Sequence, residues 1–143
     1  MIVIECYEIR PRTKPPEIVD VLNVLPDNDL DWRLLELEGP GGPFQGKYID
    51  EIADSALNLP SGLRLSWRDV WELSATMVQA VDMLLVAVEP HDSSRHDSEI
   101  ASGRYDECQF MAEVFDSGFL RIGVNQRRDD YSKIVENFLD LGV

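Results

Sequence analysis

Six consecutive apolar residues, MLLVAV at 83–88, place the tightest constraint on this chain. A strand with one wet face alternates apolar and polar side chains. A run without alternation has no wet face to serve. The run is far shorter than the ~20 residues that a membrane span needs, and its extension back to Val81 is broken by Asp82. It reads as the buried central strand of a sheet, with continuation of the preceding helix as the rival reading.

On either side the apolar period switches between 2 and 3.6. Ile2, Ile4 and Cys6 alternate with Val3, Glu5 and Tyr7 as a first strand, which Thr13–Pro16 breaks. Ile18, Val21, Leu22 and Leu25 follow at helical spacing, with Pro16 suited to a first helical turn. LDWRLLELE at 30–38 reads as a second strand, with Trp32 and Leu34 on one face and Leu35 and Leu37 on the other. Tyr48, Ile49, Ile52, Ala53, Ala56 and Leu57 form the apolar stripe of a helix over 47–57, and Asp50, Glu51, Asp54 and Ser55 form its other face. Ser66 with Asp69 gives the N-cap pattern of a helix carrying Trp67, Val70, Trp71, Ser74, Met77 and Val78. The segments 108–115 and 119–124 are strands joined at Asp116-Ser117-Gly118, a hairpin signal. Asp129 is the expected cap of a last helix with Tyr131, Ile134, Val135, Phe138 and Leu139 buried.

Two stretches read as irregular. GPGGPFQG at 39–46 packs four glycines and two prolines into eight residues. The prolines remove two backbone donors, so a structural turn is expected in place of a phosphate-binding loop. The polar stretch 90–104 reads as a long mobile connection. The expected fold is α+β, a single domain over 1–143, with a mixed or mainly antiparallel sheet of about five strands packed by helices.

Charge limits the function classes. The 143 residues hold 27 Asp and Glu against 13 Lys and Arg, a net charge of -14, on a chain that is 44% hydrophobic. Acids outnumber bases in every third of the chain, so the excess belongs to a folded surface and not to a tail. Such a surface repels nucleic acid and anionic membrane and attracts basic proteins. No positive stripe exists, and Arg127-Arg128 is the only adjacent basic pair. Cys6 and Cys108 sit in apolar runs and read as buried free thiols. The opening residues read as a strand and not as a signal peptide, giving cytoplasmic location as the expectation.

Candidate chemistry is sparse. His91-Asp92 and His96-Asp97 form the only local cluster of metal-type ligands, but the histidines are five apart in a polar stretch. The expectation is a solvated loop, with no metal and no cofactor. Trp67 and Trp71 read as core. The serines lack a nucleophile context, and paired acids such as Glu36/Glu38 or Asp50/Asp54 arise by chance in so acidic a chain. No catalytic residue is assigned, and an enzyme is not expected.

In size, charge, lack of a catalytic motif, and the strand–Gly-rich loop–helix run around Trp32-Arg33-Leu34-Leu35 and Ser66-Trp67, the chain resembles the small acidic immunity proteins of bacterial toxin–immunity systems. That resemblance implies an α+β inhibitor that binds a basic cognate toxin, such as a nuclease, as a monomer or homodimer. The expected contact residues are Asp50, Glu51 and Asp54, then Asp27, Asp29 and Asp31, with Phe44 as an apolar anchor. Two other readings stand beside it. One is a small-molecule- or metal-binding domain or enzyme with a site near the 39–46 and 90–106 loops. The other is a structural or adaptor subunit that pairs through a hairpin edge at Phe110 and Phe119.

Overall fold

The run at 83–88 lies at the heart of a six-stranded antiparallel sheet in the computed structural model, which describes residues 4–10, 17–116 and 118–142. The strands are β1 (Ile4–Ile9), β2 (Asp31–Glu38), β3 (Leu63–Leu65), β4 (Asp82–Val88), β5 (Phe110–Phe115) and β6 (Phe119–Asn125). Their order is β1-β6-β5-β4-β2-β3, and every neighbouring pair is antiparallel. The helices are α1 (Ile18–Leu22), α2 (Ile49–Asn58), α3 (Trp67–Thr76), α4 (Asp97–Ala101) and α5 (Tyr131–Asp140), with a 3-10 helix at Pro90–His96. The fold is α+β. The break at Thr13–Pro16 and the start of the first strand lie outside the described residues.

The sheet has two differently covered faces. On one, α1, α2, α3 and α5 pack over Trp32, Leu34, Met83, Leu85, Phe110, Ala112, Leu120 and Ile122. On the other, the 90–108 excursion covers Leu84, Val86 and Val88 with Ile100 and Cys108. That double cover explains why β4 shows no alternation: Met83 to Val88 are all buried. The Gly-rich segment also has a structural role. Gly42 donates to Thr76, and Val78 donates to Pro40. Gly39 has φ +137, and a Cβ there would stand 2.1 Å from the Gln79 carbonyl oxygen.

Several expectations change. A register shift between Leu34 and Glu36 moves Leu37 onto the same core as Trp32 and Leu34, leaving Leu35 with the second cluster. The stripe of α2 is narrower than expected, since Tyr48 and Leu57 are 75% and 71% exposed. The 90–104 stretch is not a loop. It folds as the 3-10 helix and α4, with Ser93, His96 and Ile100 buried. Cys6 is exposed while Cys108 is buried. The last helix is capped at Asp130, not Asp129, without a side-chain cap bond, and Leu139 is exposed. Phe110 lies in the sheet interior, fully buried against Trp32, so it forms no hairpin edge. β3 was missing from the sequence reading.

Candidate protein-binding surface

The structure sorts the acids into those that hold the fold together and those that do not. Arg33 is fully buried on β2 and collects two of them. Its Nη2 lies 3.1 Å from Asp31 Oδ2 and its Nη1 lies 2.9 Å from Asp97 Oδ1. It also donates to the carbonyls of Ser61 and Ser93. Arg64 stands over the same two carboxylates. Arg121 binds Glu113 and Glu8, Arg128 binds Asp130, Arg95 meets Asp92, and Arg68 meets Glu72.

A second set lacks such partners. Glu36, Glu38, Asp50 and Asp54 form no ion pair among the described residues, and Lys47 is the only base between 36 and 58. The β2–β4 register sets Glu38 directly opposite Asp82. Like charges at opposed positions destabilise an antiparallel pair. Glu36 lies two residues away on the same face. Because α2 packs on β2, Leu57 comes down beside this group, and Glu36, Leu37, Glu38, Leu57 and Asp82 line a groove of about 230 Å³. Asp50, Asp54 and Leu57 share one helical face at i, i+4, i+7. At the other end of α2, Tyr48 and Asp50 line a second shallow groove against Gly39–Gly41.

The field of this patch registers on a neighbour. The Glu113 carboxyl is held above its ordinary pKa, first by burial, with Arg121 opposing and Glu36, Asp82 and Glu8 adding to the rise. The Cys108 thiol is pushed up to about 12, chiefly by burial and next by Glu99, so it stays protonated and unreactive at neutral pH.

Of the residues expected to contact a partner, Asp50, Glu51 and Asp54 are exposed together on α2, with Glu51 also accepting from the Tyr48 N–H at 3.2 Å. Asp27 and Asp29 are exposed on the connection into β2, where Asp27 accepts from Trp67 Nε1. Asp31 is committed to Arg33 and Arg64. Phe44 is 5% exposed within the main core, so it cannot act as a protruding anchor. The exposed apolar positions at the ends of α2 are instead Tyr48 and Leu57, with Leu59, Val78 and Leu139 exposed as well. Sequence periodicity missed Tyr48 and Leu57 because both fit the apolar stripe of α2. Glu38 and Asp82 were missed as a pair because their meeting depends on strand pairing across more than forty residues.

Away from this surface, Glu89, Asp92, Arg95, His96, Glu107, Gln109, Asn125, Arg127 and Arg128 line a polar cavity of about 230 Å³. His91 is exposed, whereas His96 is buried. No helix among the described residues is long and apolar enough to cross a membrane. Comparison with family models, with curated proteins and with solved structures returns no match.

Proposed function

We propose that this chain is a binding module, not an enzyme, and that it grips a basic protein through the surface formed by the C-terminal half of β2, the start of β4 and the outer face of α2. The observation that carries this reading is the opposition of Glu38 and Asp82 beside Glu36 and an exposed Leu57. In the isolated protein this arrangement breaks the rule that like charges are not set face to face, and such local violations mark functional positions. A cationic partner would relieve the repulsion. Tyr48 and Leu57 supply apolar contact within an acidic rim, the anatomy of a protein interface.

An inhibitor of a basic toxin, in the manner of a cytoplasmic immunity protein, fits this surface. Complementary charge raises association rates toward ~10⁸–10⁹ M⁻¹s⁻¹ at low salt. An inhibitor that must outrun its target's damage gains from that speed.

The test is binding by the products of neighbouring genes, co-expressed with this chain. A basic product should bind, and its association should slow steeply as salt is raised to about 0.5 M. The Asp50→Lys/Asp54→Lys variant should lower the association rate about tenfold or more, while Leu57→Ala should mainly speed dissociation. A basic partner that binds the charge-reversed chain as fast as the parent would sink the proposal. So would the absence of any basic binder among those products.

A further inference from the structure

His91 is exposed and His96 is buried, and the acids near His96 come from later in the chain. His96 ends the 3-10 helix, Glu99 lies one turn on in α4, and Glu107 returns on the connection into β5. One ligand atom from each of these three lies within 4.8 Å of the others. We propose that His96, Glu99 and Glu107 bind a zinc-class divalent cation. This site shares no residue with the acidic surface above and does not rest on the function proposed for it.

The donor chemistry fits. One imidazole and two carboxylates make a nitrogen–oxygen set of the kind that zinc accepts. Bond lengths of about 2.0–2.2 Å put tetrahedral donors roughly 3.3–3.6 Å apart, so donors up to 4.8 Å apart must close by as much as about 1.2–1.5 Å. The two glutamates can supply that movement, since neither is buried, while His96 is 5% exposed and held in place. Its Nε2 lies 3.4 Å from Arg95 Nη2. A guanidinium has only donors to offer, so a hydrogen bond here uses the Nε2 lone pair, which Arg95 must give up if this nitrogen is the ligand. Arg95 is exposed, also meets Asp92, and can move aside.

Two carboxylates converging on an imidazole in a chain of net charge -14 form a site that a dication stabilises. Three protein ligands leave a fourth position for water. His96 and Glu107 also line the polar cavity, so that position is open to solvent there. The ion would tie the junction of the 3-10 helix and α4 to the end of the 90–108 excursion.

Zinc chloride titrated by calorimetry into chelator-stripped protein tests the site. One equivalent should bind and raise the melting temperature, while magnesium at the same concentration should do neither. Glu107 is exposed, so Glu107→Gln should leave the fold intact and weaken zinc binding about tenfold or more. His91→Ala should leave it unchanged. No zinc uptake by the parent chain overturns the proposal. Uptake unaffected by Glu107→Gln, or lost with His91→Ala, does so equally.

Discussion

Arg33 shows how one side chain can set the order of a whole segment. Its guanidinium is fully buried and ties together β2, the turn at Ser61, the 3-10 helix at Ser93 and α4 at Asp97. Removing it strands the Ser61 and Ser93 carbonyls and leaves Asp31 and Asp97, both partly exposed, to Arg64 alone, a loss of about 1–3 kcal/mol. Arg33→Ala should lose that much in urea unfolding, with amide exchange in 90–101 rising first. A loss below about 1 kcal/mol would mean that the excursion is held by Ile100 and its apolar contacts instead. Glu113 gives a pH-dependent counterpart. Its folded pKa is raised, so between the ordinary carboxylate value and the raised one the folded state holds more protons than the unfolded state. This group's contribution therefore falls as pH rises through that window. Urea unfolding from about pH 4 to about pH 7 should show a shallower decline for Glu113→Gln than for the parent.

At the scale of elements, the helices with local signals were the ones the sequence disclosed. Ser66 and Asp69 cap α3 as their spacing indicates: the Ser66 hydroxyl accepts from the Asp69 N–H at 3.0 Å, and the Asp69 carboxylate accepts from the Ser66 N–H at 3.1 Å. Ser66→Ala should cost about 1 kcal/mol, read as a fall in melting temperature of roughly 2–4 °C; an unchanged value would show that Asp69 caps the helix alone. β2 was legible from its period, β4 from its unbroken apolar run, and β5 and β6 from the Asp-Ser-Gly turn between them. Three features were not. β3 has only three residues, too few to show a period. The excursion at 90–101 is polar because its order comes from Arg33, which is distant in sequence. The Leu34/Glu36 irregularity moves Leu37 to the opposite face from the one that simple alternation assigns. The candidate surface was half legible. The acids of α2 stood out by charge, but Glu38 facing Asp82 is created by pairing, and the exposure of Tyr48 and Leu57 depends on where α2 comes to rest on the sheet.

Across the whole molecule, the net charge of -14 separates into two roles. Part of it is neutralised in ion pairs around Arg33, Arg121 and Arg128. Another part, around Leu57, forms no ion pair among the described residues. The sheet order has a different consequence. Among the described residues β1 pairs with β6 alone, Ile4 against Asn125. At ~5–20 residues per second, β1 is therefore synthesised about 6–24 s before its partner strand. Over that interval Ile4, Tyr7 and Ile9 have no strand to pair with. β1 is thus seated only after every strand between it and β6 in the sequence has been synthesised.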